Sequence, residues 1–380
     1  MTEDLLRVAI AGAGNIARVH ARALAAAAAE TGREAARIVA VMDADAGQLN
    51  SFCTEFGVRG AYRDLAGLLS QGRPDLVLVC TPPSSHCELA LGCLRAGVSV
   101  LVEKPPAISL REFDALAAAE ARAAGSSAAG SRGDGGGPPW FATVFQHRFG
   151  SGQARLKALA ASGVLGRPLL ALCHTTWYRD QAYFDVPWRG RWESEGGGPT
   201  MGHGIHQMDM LLDVFGEWTE VSALARTQAR RMPTEDLSLA HVTFGNGAVA
   251  SVVNSVLSPR EESYLRFDFE RGTVEVTHLY GYGDDDWRVT PAPGCPDVLA
   301  AWERAGPSAA RSGHAAQFRQ VLAALAAGRR PPVGPAAARR TMTLVAGVYA
   351  SAFTGRPVTP EQLAPGTPFY DQMNGGAAAW

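Results

Sequence analysis

The sequence predicts an α/β protein of two domains: a doubly wound parallel sheet over 1–146, then an α+β domain with a large, predominantly antiparallel sheet over 147–380. Three observations carry that expectation. A strand, a glycine turn and a helical segment follow one another from Leu6 through Ala17 and beyond. Nearly unbroken apolar strands then alternate with helical patterns as far as Phe145, as a parallel sheet covered on both faces requires. Past that point hairpin signals replace crossover helices. A chain of 380 residues is also too long for one comfortable core.

The opening stretch reads LRVAIAGAGNIA. Val8–Ala11 is an apolar run suited to a buried strand, and the alanines that follow favour a helix near Ile16–Thr31. Between them Gly12, Gly14, Asn15 and Ile16 form a tight turn that brings backbone N–H groups to a helix N-terminus, where a pyrophosphate binds. With 42 glycines in the chain, a GxGxxA pattern is weak alone. The strand before it and the helix after it make it a dinucleotide cradle. The next strand, Ala36–Met42, ends at Asp43, where an acidic residue accepts hydrogen bonds from the adenosine ribose. Asp43 lies 31 residues past Gly12, against a usual spacing of about 20, and the insertion Ala25–Ala29 explains the excess. Ala44–Asn50 holds no Arg or Lys to receive a 2′-phosphate, and Asp45 would repel one, so NAD is expected rather than NADP.

Helices are expected at Gln48–Phe56 and Asp64–Ser70, with a short strand Val58–Tyr62 between them. Prolines stop the strand Asp75–Cys80, and Ser84 or Ser85 is placed to cap the helix that runs to Ala96. The strand Ser99–Val102 carries Glu103 and Lys104 at its carboxyl end, where ligands bind in such sheets. There Lys104 can give a proton or hydrogen bond to a substrate oxygen. A helix Ser109–Ala124, a low-complexity segment Gly125–Pro139 expected to be mobile and free of chemistry, and a strand Trp140–Phe145 complete this domain.

In the second half Gln153–Ser162 reads as a helix and Arg167–Arg179 as a long strand. Further strands are expected at Glu220–Ala229, Leu237–Phe244, Ala248–Val256, Tyr264–Glu270, Gly272–Thr277 and Asp286–Thr290, with Asn246-Gly247 signalling a type I′ hairpin. Helices at Gly313–Ala327 and Ala336–Thr354 close the chain. The chemically loaded stretch is Trp188–Asp209. A helix from about Gly204 to Phe215 puts His206 in its first turn, where the dipole favours a neutral imidazole poised to take a proton. Asp209, one turn on, is placed to orient that ring or to bind substrate. Trp177, Tyr178, Arg179, Trp188, Arg189 and Trp192 offer sugar-stacking faces and hydroxyl-binding groups for a pocket.

The 35 basic and 37 acidic residues give a net charge of -2 with no basic tract, which argues against nucleic acid and anionic membrane as partners. The acidic start MTEDLL is unlike a signal peptide, and no apolar run reaches membrane-helix length, so a cytoplasmic protein is expected. The six cysteines form no CxxC pair and read as buried free thiols. Neither they nor His203, His206 and Asp209 complete a ligand set, so no metal is expected.

Together these motifs resemble the Gfo/Idh/MocA family, named after glucose–fructose oxidoreductase and inositol dehydrogenase. The likeness rests on Gly12-Ala-Gly14-Asn15-Ile16-Ala17, Cys80-Thr81-Pro82-Pro83-Ser84-Ser85-His86, Glu103-Lys104-Pro105, Gly196-Gly197-Gly198, Gly204-Ile205-His206-Gln207-Met208-Asp209 and Gly355-Arg356-Pro357-Val358, and covers nearly the whole chain. It implies an N-terminal Rossmann domain and a C-terminal domain whose sheet builds a homodimer or homotetramer. It implies that Gly12, Gly14, Asn15, Ile16, Asp43, Thr81, Pro82, His86, Glu103 and Lys104 hold the cofactor. Lys104 would contact substrate and nicotinamide ribose, and His206 would be the catalytic histidine. Arg148 and His314 join Trp177, Arg179, Trp188, Trp192, His203 and Asp209 as substrate candidates. One departure stands out: the family's DxGxH pattern has an aspartate where this chain has Gly202, and His203 is expected to fill part of that role.

The expected function is NAD(P)-dependent interconversion of a secondary alcohol and a ketone on a sugar, cyclitol or glycosylated small molecule. Hydride transfer is the chemistry, with Lys104 and His206 handling the hydroxyl proton. The alternatives are a redox glycosidase, in which transient oxidation activates elimination, and a non-catalytic dinucleotide-binding regulator.

Overall fold

A computed structural model describes residues 5–30, 35–126, 137–306 and 310–377. Most of the expected mobile segment Gly125–Pro139 lies outside the described residues. The chain forms two compact units: 1–107, 112–144 and 314–338 make the first, and 108–111, 145–313 and 339–380 the second. Residues 314–338, which the sequence reading assigned to 147–380, therefore join the first unit.

The first unit is a six-stranded parallel sheet in the order β3-β2-β1-β4-β5-β6, built from β1 (Leu6–Ala11), β2 (Ala36–Met42), β3 (Gly60–Tyr62), β4 (Leu76–Val79), β5 (Ser99–Val102) and β6 (Phe141–Thr143). This order reverses direction between β1 and β4, and ligands bind outside the carboxyl ends of the strands at such a switch point. The helices are α1 (Asn15–Glu30), α2 (Ala46–Phe56), α3 (Leu65–Gly72), α4 (His86–Arg95) and α5 (Leu110–Ser126). Asp45 and Asp64 cap α2 and α3 by accepting from the N–H groups of Gly47 and Gly67. The expected serine cap of α4 is not formed. A 3₁₀ turn at Pro83–Ser85 precedes that helix, and the Ser85 hydroxyl donates to Thr81 Oγ1 instead.

The core packs Val8, Ile10, Leu76, Leu78 and Leu101 against the alanine face of α1. Phe318, Val321 and Leu322, from the late helix that begins at His314, pack into the same core. The Ala17 and Ala21 side chains are small enough to let that helix lie close along α1, and Arg319 at its exposed side pairs with Glu30 at 2.8 Å.

The second unit holds α6 (Ser151–Ser162), β7 (Pro168–Tyr178), α7 (Gln181–Phe184), α8 (Trp192–Glu195), α9 (Ile205–Phe215), β8 (Trp218–Arg226), β9 (Leu237–Phe244), β10 (Val249–Ser255), β11 (Leu257–Phe269), β12 (Gly272–His278), β13 (Trp287–Pro291) and α10 (Pro296–Arg304). The late helix of the first unit is α11 (His314–Ala326); α12 (Pro335–Thr354) and α13 (Pro368–Asp371) follow. Seven strands form one sheet in the order β13-β12-β11-β7-β10-β9-β8, antiparallel except where β7 and β10 run parallel. Inward residues such as Ala171, Cys173, Val252 and Phe267 are buried, and Leu170, Leu224, Leu239 and Val249 on the other face are exposed. This is the period-two alternation of a sheet with one covered face.

Two local expectations are corrected. Asn246-Gly247 does not make a type I′ turn, because a positive φ is found at Gly247 and not at Asn246. Gly247 N–H closes a turn onto Phe244 O, and the Asn246 side chain accepts from Ala248 N–H and donates to Phe215 O, which makes a three-residue loop with a glycine bulge. The α-helix carrying His206 runs from Ile205 to Phe215, as expected, but a π-helical turn over Thr200–Gly204 leads directly into it, so His206 lies inside a longer helical run and the dipole argument for its neutrality loses its basis. All six cysteines are free, four of them buried and Cys53 and Cys295 half-buried. Among the described residues no helix is long and apolar enough to cross a membrane.

Candidate active site

In the first unit the strand register brings the cofactor candidates to one edge. Ala11 pairs with Met42 on one side and Val79 on the other, and Val79 pairs with Val102. The segments leaving these four adjacent ends are Gly12–Gly14, Asp43, Thr81–Pro82 and Glu103–Lys104. Gly12 has φ +97, and a Cβ there would lie 2.8 Å from the Cys80 carbonyl oxygen, so glycine is required. A Cβ on Gly14 would meet nothing within 4 Å; it would fill open space in front of the helix. The first turn of α1, which includes Asn15 and Ile16, carries no acidic side chain to neutralise its positive end. This cradle fits the pyrophosphate of a dinucleotide.

Asp43 holds the turn from beside it. Its Oδ2 accepts from Ala13 N–H at 2.7 Å and its Oδ1 from Asp45 N–H at 2.7 Å. A carboxylate has about four acceptor sites, so capacity remains for ribose hydroxyls. The sequence reading looked for a basic neighbour in Ala44–Asn50 and missed Arg63, which arrives from the end of β3 and donates to Ala44 O. Three histidines tie the other strand ends together. The His86 ring bridges Thr81 O and Pro105 O, each at 2.7 Å, and burial pushes its pKa down against the pull of those acceptors.

Glu103 is buried and receives His20 Nε2 at 2.7 Å and His314 Nε2 at 3.2 Å on the same oxygen; its other oxygen accepts from Lys104 N–H at 3.0 Å. Burial by itself would raise the Glu103 pKa, but the two imidazoles outweigh it and hold the carboxyl well below the usual range. The trio has metal-ligand chemistry, with ligand atoms within 4.8 Å of one another. A metal-bound imidazole, however, anchors its second nitrogen on a partner, and among the described residues His20 Nδ1 has none. We read the trio as a hydrogen-bonded clamp that holds the backbone at Lys104. His314, expected at the substrate, therefore sits in the first unit on Glu103.

In the second unit His206 is 4% exposed. Asp209 neither orients its ring nor faces solvent. Both Asp209 oxygens accept from the Arg148 guanidinium, Oδ1 from Nη2 at 2.7 Å, and Thr341 Oγ1 adds a bond at 2.9 Å. Arg148 also reaches Asp213 at 2.8 Å, and Lys157 bonds the same Asp213 oxygen at 2.8 Å. Two expected substrate contacts, Arg148 and Asp209, thus neutralise each other in a buried network. Helical spacing alone could not reveal this, because Arg148 lies 61 residues away.

The aromatic candidates divide. Trp192 is packing: its ring meets Tyr349 edge-on and its Nε1 donates to Pro233 O at 3.1 Å. Trp177 is buried, donates to Ser263 Oγ at 3.0 Å and meets the His203 ring edge-on. Arg179 bridges Glu261 at 2.7 Å and Tyr280 OH at 2.8 Å. Arg189 lies between the rings of Tyr183 and Trp188, 4.0 and 4.2 Å from their centroids, while Tyr183 OH stands 3.5 Å from His203 Nε2. His203 therefore faces Trp177 and Tyr183.

Two of the three glycines, Gly197 and Gly198, are explained by buried residues the sequence reading missed, Tyr349 and Glu235. Glu235 is fully buried and its carboxyl accepts from Gly198 N–H, Thr200 N–H and Tyr349 OH at 3.1, 2.9 and 3.0 Å. A Cβ on Gly198 would lie 2.1 Å from Glu235 O, and one on Gly197 2.0 Å from Tyr349 OH. Burial raises the Glu235 pKa to about 7. The folded value lies above the unfolded one, so its stabilisation is complete below the unfolded pKa and is lost as pH rises through the folded one. Thermal midpoints taken from pH 5 to 9 are expected to fall across neutrality in the native protein and to flatten in Glu235→Gln.

Residues 6–128 match a family model described as an oxidoreductase family with an NAD-binding Rossmann fold, and residues 153–275 match the GFO/IDH/MocA C-terminal domain. The chain belongs to the Gfo/Idh/MocA family. It is 28% identical over 306 residues to D-glucoside 3-dehydrogenase of Escherichia coli (strain K12), spanning 74% of this chain and 80% of that one. It is 26% identical over 365 residues to D-apiose dehydrogenase of Paraburkholderia graminis, spanning 90% and 88%. The WlbA dehydrogenase from Bordetella pertussis, solved in complex with NADH and UDP-GlcNAcA, shares the fold with a TM-score of 0.78 at 24% identity, over 94% of this chain and 99% of that one.

Proposed function

We propose that this oxidoreductase is an NAD-dependent dehydrogenase interconverting a secondary alcohol and a ketone on a sugar, cyclitol or glycosylated small molecule. The observation that carries the reading is the row of strand ends in the first unit, where the glycine cradle, Asp43 and Glu103-Lys104 follow adjacent parallel strands. The relatives that act on a D-glucoside and on D-apiose support a sugar substrate. The nicotinamide, when bound, accepts or returns the hydride. Asp43 orients the ribose hydroxyls, and its charge disfavours a 2′-phosphate. Gly12, Gly14, Asn15 and Ile16 seat the pyrophosphate, and Thr81, Pro82 and His86 shape the neighbouring strand end. Lys104 polarises the reacting oxygen, and His206 exchanges its proton.

Lys104 has a further mark. It is one of two lysines, with Lys157, among 35 basic residues. Where arginine supplies nearly every cation, a lysine at a ligand-binding strand end supplies what arginine cannot: an ammonium able to release its proton. Arg179, Trp188 and His203 remain the substrate contacts we favour. A cytoplasmic homo-oligomer is part of the same reading, in keeping with six free thiols.

The test is a reduction screen with NAD⁺ and NADP⁺ against polyols, aldoses and glycosides. At least one sugar compound is expected to reduce NAD⁺ preferentially. In Asp43→Ser the KM for NAD⁺ is expected to rise about tenfold while NADP⁺ use improves, from loss of ribose contacts and of the repelling charge. No reduction with any compound, or equal turnover in His206→Ala, sinks the reading. Sugar release without net NADH would mark a redox glycosidase instead.

A further inference from the structure

His86 is buried at the start of α4, and both of its ring nitrogens face backbone oxygens. Nδ1 lies 2.7 Å from Pro105 O and Nε2 2.7 Å from Thr81 O. A backbone carbonyl accepts and cannot donate, while a neutral imidazole has one N–H and one bare nitrogen. Only the imidazolium makes both bonds. Turning the ring over about its Cβ–Cγ bond offers no escape, because ring carbons would then press on both oxygens, closer than the roughly 3.3–3.6 Å of a C–H···O contact. A neutral ring holds one carbonyl and points a lone pair at the other.

The two oxygens belong to the segments that leave β4 and β5, which are neighbours in the sheet. Pro105 follows Lys104, whose own N–H is fastened to Glu103 Oε2 at 3.0 Å. The backbone at Lys104 is therefore held from both sides, by the Glu103 clamp before it and by His86 after it. Burial drives the His86 pKa below the ordinary histidine value; the two carbonyls and the Glu103 carboxylate resist that shift, and the Lys104 ammonium adds to it. The thiols of Cys80 and Cys87 are kept neutral by burial, and Glu112, Arg95 and Glu88 bear on the latter. Proton gain on the acid side of neutrality thus completes the second bond.

We propose that His86 is a positioning residue for Lys104, a tie between two strand ends that closes fully only when both ring nitrogens carry protons. The closed tie fixes Pro105 against Thr81, and with it the direction in which the Lys104 side chain leaves the backbone. The open tie leaves one of the two strand ends unfastened. The proposal rests on the reading of Lys104 as the group that polarises the reacting oxygen.

Two measurements on the full-length protein test it. In ¹⁵N-histidine-labelled protein without substrate, His86 is assigned by the signals lost in His86→Asn. Its ring is expected to carry one nitrogen-bound proton at about pH 8 and to gain a second as pH falls towards about 5.5. With the best sugar from the screen, kcat in His86→Phe, a ring with no donors, is expected to fall about tenfold while the KM for NAD⁺ changes by no more than about threefold. His86→Asn keeps a donor in the place of Nδ1 but neither reaches Thr81 O nor gains a proton. The ratio of native to His86→Asn turnover cancels the ionisations of Lys104 and His206, common to both enzymes, and is expected to grow about threefold over the same fall in pH. A merely structural histidine would leave that ratio flat. Should His86→Phe melt early, the ring protons and the ratio decide without it. A single ring proton throughout the range, or a flat ratio with folded His86→Asn, overturns the proposal. Native turnover in Lys104→Met would overturn the reading of Lys104, while the ring protons still decide whether the tie exists.

Discussion

Lys104→Met is expected to lower kcat by about 10²–10⁴-fold, the range for removing a positioned acid–base group. Dissociation of NAD⁺, followed by fluorescence titration, is expected to change by no more than about threefold. The separation follows from where the side chain begins. Lys104 N–H is fastened to Glu103 Oε2, and Glu103 is gripped by His20 and His314, so the backbone stays in place when the ammonium is removed. The glycine cradle and Asp43 are equally untouched, since they leave other strands. Lys104→Arg sharpens the test by keeping the charge while holding its proton too tightly to release it. Native turnover in Lys104→Met would remove Lys104 from the chemistry. Native turnover in Lys104→Arg alone would reduce its role to electrostatics.

The second large effect is on stability. Arg148→Met is expected to cost the second unit about 3–5 kcal/mol, because it leaves Asp209 as an uncompensated buried carboxylate. The Asp209 side chain is 1% exposed and that of Arg148 9%, so water cannot replace the lost partner. Burial already raises the Asp209 pKa against the pull of Arg148. Without the guanidinium the carboxyl would be driven further towards its neutral form. The double variant Arg148→Met, Asp209→Leu is expected to regain much of the loss, since an apolar pair of similar volume often matches a buried ion pair. Calorimetry of the three variants decides it. A single Arg148→Met variant with a native thermal midpoint would show that the pair contributes little.

What could be read directly from the chain was local. Gly12 is legible because a strand precedes it and an alanine-rich helix follows it, and its φ of +97 is what such a turn demands. The strands from Leu6 to Val102 are legible because both their faces are buried, which writes them as short runs of valine, leucine and alanine. The α-helix boundary near Gly204 is legible, but the π-helical turn before it is not. The side chain of Asn254 sits where a Cβ of Gly204 would be, 1.9 Å away, so glycine is there for close approach within a continuing helix.

The clamp on Glu103 shows the other limit. His20 and His314 flank the carboxylate from 83 and 211 residues away in sequence; His20 belongs to no motif, and His314 was expected at the substrate instead. The same holds for Glu235 against the glycines at 197 and 198, and for His147 against His206, 59 residues apart by number but in stacked contact. Sequence by itself determined the two-domain α/β class and the strand ends that carry Gly12, Asp43 and Lys104, and it pointed to His206 as the residue to watch. Those features depend on hydrophobic period and on glycine and proline chemistry, which act over a few residues. Tertiary structure alone decided that 314–338 completes the first unit, that Asp209 belongs to Arg148, and that the His147 ring stacks on that of His206. Those depend on which distant side chains share a buried space, where an unpaired charge is costly and each polar group must find a partner.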